Sequence, residues 1–268
     1  WKNSFSIAGY SIKVTKNNYN AHNVYGSALV KEGKALEGLN YLNESLRLNP
    51  DCADTYLHRG NAYAELENYQ QAIVDYSQAI RLHPRGYEVF LSRGMAYEKT
   101  GRHAQAIRDY DQTIKINPGS SHAYTYRGEL QMKLGHYEQA LRDFDQAIRL
   151  DPFQADLFNN RGTVSYHLGL YGQAIADYHR AIRLKPDHAE AYNNRGLAYG
   201  KLGQLKQAID DFSEAIALKP DFADAYNNRG FAYFLTGSVK PGCADAKKAC
   251  EWKMCKMYEV AKTKGFCQ

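Results

Sequence analysis

Most signatures of enzymes and of membrane-spanning proteins are missing from the sequence. It contains none of the motifs HExxH, GxGxxG, GxxxxGK or GxSxG, and its nine histidines are scattered without a repeated cysteine or carboxylate partner. No run of about 18 apolar residues occurs, so no membrane span is expected in this segment. A charged-then-apolar leader is also not visible. We therefore expect no catalytic residue, no cofactor and no metal site, and a protein that is not an enzyme.

A basic stripe is missing as well. The net charge is +5, and the excess is concentrated in residues 239–268, which hold seven lysines and three acids. A nucleic-acid-binding protein usually carries a basic face along its body, so no nucleic-acid partner is expected. The basic C-terminal segment is interpreted as a solvated face, with a membrane or nucleic-acid patch as the alternative.

What the sequence does contain is a period of 34 residues, which is visible first in its few prolines. Six of the seven prolines are spaced by 34, and seven glycines keep the same spacing. The prolines are Pro50, Pro84, Pro118, Pro152, Pro186 and Pro220, and the glycines are Gly26, Gly60, Gly94, Gly128, Gly162, Gly196 and Gly230. Such a period predicts a repeat architecture in which each unit packs only on its neighbours.

Each unit has the pattern of two helices, here named helix A and helix B. In unit 189–222, apolar residues recur at helical spacing in the stretches AEAYNNRGLAYGKLG and QLKQAIDDFSEAIALKP. Gly203 is expected to end helix A in a left-handed conformation. Pro220 cannot continue helix B and closes it. Asp221 is expected to cap the next helix A.

The spacing Tyr192-x3-Gly196-x2-Tyr199, followed by Ala208-x3-Phe212, resembles the tetratricopeptide repeat (TPR). The resemblance covers nearly the whole chain. It implies an all-α fold, a right-handed TPR superhelix of about seven and a half repeats with a C-terminal capping helix. We expect complete units at 19–52, 53–86, 87–120, 121–154, 155–188, 189–222 and 223–256.

The two ends are expected to differ from these units. Trp1, Phe5, Ala8 and Ile12 keep the phase of a helix B, so residues 1–18 are interpreted as half a repeat of a solenoid that begins upstream. At the other end, residues 255–268 are expected to form a capping helix and tail that stop further stacking.

Two charged rows run through six of the seven units. Unit 19–52 has Tyr25 and Tyr41 in their places, and because it loses both partners together, the two positions are expected to meet. We interpret the rows as structural ion pairs that tie helix A to helix B, with a row of anion-binding arginines as the alternative. The pairs are Arg59 and Asp75, Arg93 and Asp109, Arg127 and Asp143, Arg161 and Asp177, Arg195 and Asp211, and Arg229 and Asp245.

The resemblance also implies that the A helices line a concave, peptide-binding groove. Positions are counted from the first residue of each unit. Positions 5 and 6 of the units that begin at 155, 189 and 223 are asparagines, whose amides offer both a donor and an acceptor to a peptide backbone. Merely solvated asparagines are the alternative. Phe231 and Phe234 are further candidate anchors, and acids at position 2, such as Asp224, favour basic or neutral ligands. The candidate binding residues are Asn61, Tyr126, Asn159, Asn160, Tyr166, Asn193, Asn194, Asn227 and Asn228.

Four of the five cysteines fall in the last 26 residues, where neither a CxxC pair nor a histidine accompanies them. Disulfides are therefore favoured over zinc. If helix B of the last unit and the capping helix run antiparallel, Cys250 meets Cys255 across the turn, and Cys267 returns toward Cys243. Cys52 is left free. These disulfides would indicate an oxidising compartment.

Residues near the beginning, WKNSFSI and VTKNNYNAHNVYGSAL, resemble the junction in bacterial membrane proteins of the O-mannosyltransferase-like glycosyltransferase type, in which extracytoplasmic TPR units follow a membrane region. An extracytoplasmic, periplasmic location is thus favoured, with the cytoplasm left open.

Three functions follow from these patterns. The first is a non-catalytic scaffold that binds a protein or an extended peptide. The second is a substrate-presenting or assembly module of a membrane-bound glycosyltransferase, tethered to a membrane domain upstream. The third is self-association; the oligomeric state is left open.

Overall fold

The structure, a computed structural model, describes residues 17–267 and is helical throughout that part of the chain. Most of the half repeat predicted at 1–18 therefore lies outside the described residues. The helices are α1 (Tyr19–Lys31), α2 (Ala35–Leu48), α3 (Ala53–Glu65), α4 (Tyr69–Leu82), α5 (Tyr87–Lys99), α6 (His103–Ile116), α7 (Ser121–Lys133), α8 (Tyr137–Leu150), α9 (Ala155–His167), α10 (Tyr171–Leu184), α11 (Ala189–Lys201), α12 (Leu205–Leu218), α13 (Ala223–Leu235), α14 (Val239–Glu251) and α15 (Lys256–Thr263).

The helices form two compact units, called below the first unit, which ends at Leu130, and the second unit, which begins at Gln131. The 34-residue copies within them are called repeats. Within each unit, helix A packs on its own helix B and on the A and B helices of the neighbouring repeats. In the second unit, for example, α11 contacts α9, α10, α12 and α13. The predicted all-α repeat fold is confirmed.

The turn between helix A and helix B requires a residue with positive φ. Glycine fills this place at Gly33, Gly101, Gly135, Gly169, Gly203 and Gly237, with φ between 73° and 78°. The repeat 53–86 instead has Glu67 at φ 58°, a conformation that costs an L-residue about 1–2 kcal/mol. The N-cap expected at Asp221 is wrong: Phe222 occupies the cap of α13, and its side chain makes no capping hydrogen bond.

Helix A and helix B touch where a glycine faces an aromatic ring. Gly196 lies on α11 directly opposite Phe212 on α12, and a Cβ added to Gly196 would come within 2.7 Å of the ring. Gly60 stands in the same relation to Tyr76. The rings are buried, and burial raises the pKa of the Tyr76 phenol above its ordinary value. The 34-residue glycine row is thus explained by close helix approach.

The last repeat lacks this aromatic residue, because Ala246 occupies its position. The capping helix α15 supplies a substitute. A Cβ on Gly230 would lie 2.8 Å from the terminal methyl carbon of Met257, which therefore fills the space that a ring fills elsewhere. Ala261, one turn further along α15, is also buried. The capping helix completes the last core layer as well as covering it.

Candidate functional site

The arginines and aspartates that recur in the repeats form bidentate ion pairs. Arg195 Nε and Nη2 donate to the two carboxylate oxygens of Asp211 at 2.8 and 2.7 Å. The same geometry occurs at Arg59 with Asp75, Arg93 with Asp109, Arg161 with Asp177, and Arg229 with Asp245. Arg127 and Asp143 lie on either side of the boundary between the two units, and their pairing stays a prediction.

Several arginines also contact the preceding repeat, which the sequence analysis did not foresee. Arg161 Nη1 donates to Asp145 at 2.8 Å, and Arg229 Nη1 donates to Ser213 at 3.0 Å. Each acceptor lies on helix B of the previous repeat, at position 25 of that repeat. The guanidinium of Arg229 also lies 5.7 Å from the centroid of Tyr226, one turn earlier. The hydrogen bonds of Arg161 and Arg229 therefore join helix A both to helix B of its own repeat and to helix B of the preceding repeat.

The repeat 19–52 has tyrosines at the two positions that hold arginine and aspartate in the other repeats. Where the other repeats have an ion pair, the rings of Tyr25 and Tyr41 meet edge to face, with centroids 4.7 Å apart and an interplanar angle of 67°. The two positions therefore meet in this repeat as well, through an aromatic contact of the kind found in protein cores.

The asparagines of the second unit bond to one another between successive A helices. Asn194 Nδ2 donates to Asn159 Oδ1 at 3.1 Å, and Asn228 Nδ2 donates to Asn193 Oδ1 at 2.9 Å. Position 6 of one repeat thus reaches position 5 of the repeat before it. Part of the asparagine row serves the scaffold itself, a third role beside ligand binding and solvation. The predicted Asn160 also takes part in an interaction.

The first unit has one contact of the same kind, between His58 Nδ1 and Asn23 Oδ1 at 2.8 Å. Burial lowers the pKa of the His58 imidazole, which favours the neutral ring. Of the other candidates in this unit, Asn61 accepts a hydrogen bond from the Tyr76 hydroxyl at 2.8 Å. Tyr126 is half-buried against the core beside Tyr110.

Two adjoining cavities lie along the A helices of the second unit. The first, about 300 Å³, lies between α11 and α13 and is lined by Tyr166, Leu197, Phe231 and Leu235. The second, about 670 Å³, lies between α13 and α15. Phe231 and Asn228 line both cavities. The structure therefore brings Tyr166 and the last asparagines beside an apolar surface, which we call the apolar strip, made of Tyr166, Leu197, Phe231 and Leu235.

The tail cysteines form two disulfides, Cys243 with Cys267 and Cys250 with Cys255. The second closes the turn between α14 and α15, and the first fastens the segment after α15 to the start of α14. Both pairings correspond to those expected from the sequence. Cys52 is a free, half-buried thiol.

Thiol titration of the denatured, unreduced protein is expected to detect one free thiol, that of Cys52, and five after reduction. The reason is that the other four sulfur atoms are paired in the folded structure. Protein is isolated under non-reducing conditions without alkylation, and a colorimetric thiol assay in denaturant, before and after reduction, gives the two counts. Five free thiols before reduction would contradict both disulfides.

Two kinds of feature are absent from the described part of the chain. Residues 17–267 contain no group of histidine, cysteine and acidic side chains arranged to hold a metal ion. Over the same residues, none of the helices combines the length and apolar character needed to cross a bilayer.

Family models and solved structures match the chain. The model described as "Tetratricopeptide repeat" matches residues 53–85, 87–120, 121–154 and 189–222, which is half of the chain, and one described as "TPR repeat" matches residues 165–203. No curated protein matches the sequence.

Among solved structures, Cut9–Hcn1 of the APC/C hetero-tetramer is 18% identical over 96% of this chain with a TM-score of 0.67, although this chain spans only 52% of that one. MamA is 28% identical, with 64% of this chain and 96% of its own covered and a TM-score of 0.56. YrrB, described as a TPR protein with an unusual peptide-binding site, is 22% identical, with 70% and 97% covered and a TM-score of 0.59.

Proposed function

The chain belongs to the tetratricopeptide repeat family, and from that premise we propose that it is a non-catalytic scaffold that binds a protein or an extended peptide on the A-helix face of its second unit. The TPR fold is typical of protein–protein interaction and is generally a scaffold without catalytic activity. The proposal for this chain goes further, because it names the face and the residues.

The observation that carries the proposal is the exposure of large apolar side chains beside the two cavities. Phe231 is 57% exposed and Leu235 is 58% exposed, although their neighbours Gly230 and Ala232 on the same helix are buried. Aromatic side chains in such positions dominate the free energy of protein interfaces. A contiguous apolar surface of this kind marks an interaction site more often than an isolated exposed residue does.

The asparagines add polar groups along the same face. The side-chain oxygens of Asn159 and Asn193 already accept hydrogen bonds from the following repeat. The bond donated by Asn228 leaves its own side-chain oxygen available as an acceptor, and the Asn159 amide nitrogen remains available as a donor. These groups suit the N–H and C=O groups of an extended backbone, which supports ligand binding by positions 5 and 6 together with Tyr166.

A related protein offers a precedent for such a function. YrrB, at 22% identity, is described as having an unusual peptide-binding site. The precedent makes a peptide ligand a reasonable expectation for this chain as well.

The location follows as a further part of the proposal. Two disulfides in the last repeat and cap are typical of proteins that reach an oxidising compartment. We therefore favour an extracytoplasmic, periplasmic scaffold. A substrate-presenting role beside a membrane glycosyltransferase rests on residues 1–30, and most of that stretch lies outside the described residues.

The proposal predicts that Phe231→Ala weakens binding by about tenfold or more, the loss expected for an aromatic anchor. Peptides are first selected from a displayed library of random 12-residue sequences on the immobilised wild-type protein. Their affinity for wild type and variant is then measured by fluorescence anisotropy. Because Phe231 is largely exposed, the variant is expected to fold.

The matched control is Phe153→Ala. Phe153 is 75% exposed in the loop between α8 and α9 and lines neither cavity, so its removal should change affinity by less than about twofold. If no peptide is enriched over an unrelated protein, or if both variants bind like wild type, the proposed face is not the binding site. Light scattering on the same samples detects self-association, which would occupy the face in place of a peptide.

A further inference from the structure

The larger cavity between α13 and α15, which we call the cap groove, has an apolar floor. It is lined by Phe231 of α13, by Met254 of the turn, and by Met257 and Val260 of α15. Val260 is 46% exposed. Methionine side chains adapt their shape to different apolar ligands. A cavity of about 670 Å³ is in the range of small-ligand sites and accommodates a few large side chains of a bound segment.

The rim of the cap groove is positively charged. Lys253, Lys256 and Lys264 line it, and no acidic residue does. Of the acids nearby, Glu251 is paired with Lys248 at 2.6 Å, and Glu259 lies on α15 outside the lining. Within the described part of the chain, none of the three rim lysines has an ion-pair partner. Lysines that surround an apolar floor without counterions favour a ligand that carries carboxylates next to apolar groups.

The turn that presents this rim is held in an unusual backbone conformation. Lys253 has φ 70°, one of two non-glycine residues with positive φ among the described residues. It lies inside the short loop closed by the Cys250–Cys255 disulfide. Such a conformation costs about 1–3 kcal/mol and persists where surrounding structure enforces it, often at binding sites.

The asparagine row ends in the same groove. In each earlier repeat of the row, position 5 accepts a hydrogen bond from the next helix A, but Asn227 has no next repeat. Its side chain lines the cap groove, and no described residue bonds to it. Asn227 thus presents an unused donor and acceptor at the apolar floor, beside the lysines.

We propose that the cap groove binds an acidic segment of a partner protein, in which one or two large apolar side chains are flanked by aspartate or glutamate. The inference rests on the proposed function, because the cap groove shares Phe231 with the apolar strip and Asn228 with the cavity beside that strip. It adds the sign of the ligand's charge. Acids at position 2 of the repeats favour basic or neutral ligand residues, and at the cap this preference is reversed.

Three synthetic peptide pools test the proposal. All pools share a degenerate core of leucine, phenylalanine, isoleucine and methionine. The flanks are aspartate and glutamate in the first, asparagine and glutamine in the second, and lysine and arginine in the third. Immobilised wild-type protein, with its disulfides intact, should retain the acidic pool at least about tenfold more than the basic pool at low ionic strength. The preference should shrink as salt screens the charges.

Two variants separate the contribution of the lysines from a general change in charge. The triple variant Lys253→Gln, Lys256→Gln, Lys264→Gln should lose the preference for the acidic pool and retain the amide pool as wild type does. The control replaces Lys206, Lys240 and Lys247, which are exposed lysines outside the groove, with glutamine. It removes the same charge and should keep the preference.

Each remaining outcome decides a separate question. Equal retention of the three pools, or a preference that survives in the triple variant, overturns the acidic-segment proposal and leaves the proposed function standing. Retention of no pool overturns the acidic-segment proposal, and the selection of random 12-residue peptides then decides the proposed function separately. Co-sedimentation with vesicles of anionic lipid that is lost in the triple variant, without a preference for the acidic pool, would assign the lysines to a membrane surface instead.

Discussion

Replacing Asp211 with alanine is expected to lower the free energy of unfolding by about 3–5 kcal/mol, the loss typical when one partner of a buried ion pair is removed. The side chains of Arg195 and Asp211 are only 14% and 8% exposed, and both carboxylate oxygens accept hydrogen bonds. Without Asp211, the Arg195 guanidinium keeps its charge in a largely dry site. Chemical denaturation followed by circular dichroism measures the change.

The first repeat supplies the control for this experiment. It fills the same two positions with Tyr25 and Tyr41, which pack edge to face. The double variant Arg195→Tyr, Asp211→Tyr removes the buried charge together with its partner, so it should be less destabilised than Asp211→Ala alone. A single variant within about 1 kcal/mol of wild type would mean that water screens the pair as at an exposed surface.

Replacing Gly196 with alanine should cost about 1–3 kcal/mol of stability, the usual penalty for overpacking a core. The added Cβ would lie 2.7 Å from Phe212, whose ring is 3% exposed and has little room to move. Either the ring leaves its rotamer or α11 and α12 separate. Thermal and chemical unfolding of the purified variant give the size of the loss.

Gly200 provides a matched control one turn further along α11. A Cβ added there meets no heavy atom within 4 Å. Alanine is the better helix former, so Gly200→Ala should be neutral or raise stability by up to about 1 kcal/mol. If both alanine variants were equally stable, helix contact at Gly196 would not explain the 34-residue glycine row.

The helices and their pairing could be predicted because the sequence repeats the same signals. Turn glycines such as Gly203, helix-closing prolines and the small residue facing an aromatic each occur several times, so a departure in one copy does not obscure the pattern. The joint loss of arginine and aspartate in the first repeat even indicated which positions meet. Local rules were less reliable at single sites, as the wrong N-cap at Asp221 illustrates.

Contacts between repeats were harder to predict, because they depend on how consecutive hairpins stack. The hydrogen bond from Asn194 to Asn159 joins residues 35 apart, and that from Arg161 to Asp145 joins residues 16 apart in different repeats. Neither spacing follows from the periodicity of a single helix. Met257 could not be predicted to replace the missing ring, because the packing of the capping helix follows no repeat pattern.

The candidate site shows the same division. From the sequence, the asparagines and the aromatic residues Phe231 and Phe234 could be named as candidates, because they occupy positions that line the groove in the family that the sequence resembles. It gave no indication that asparagine side chains of successive repeats bond to one another. It also treated the C-terminal lysines as a solvated face, because their arrangement around the cap groove depends on the turn at Lys253.

The hydrogen bonds from one repeat to the preceding one also bear on how the gene can change. Each described bond of this kind joins a fixed position to a fixed position in the adjacent copy, as from Arg229 to Ser213 and from Asn228 to Asn193. Unequal crossing-over that adds or removes whole multiples of 34 codons would therefore restore a complete set of junction contacts. Insertions of other lengths within a helix would misalign them. Whole copies between these junctions can thus be gained or lost without disturbing the contacts.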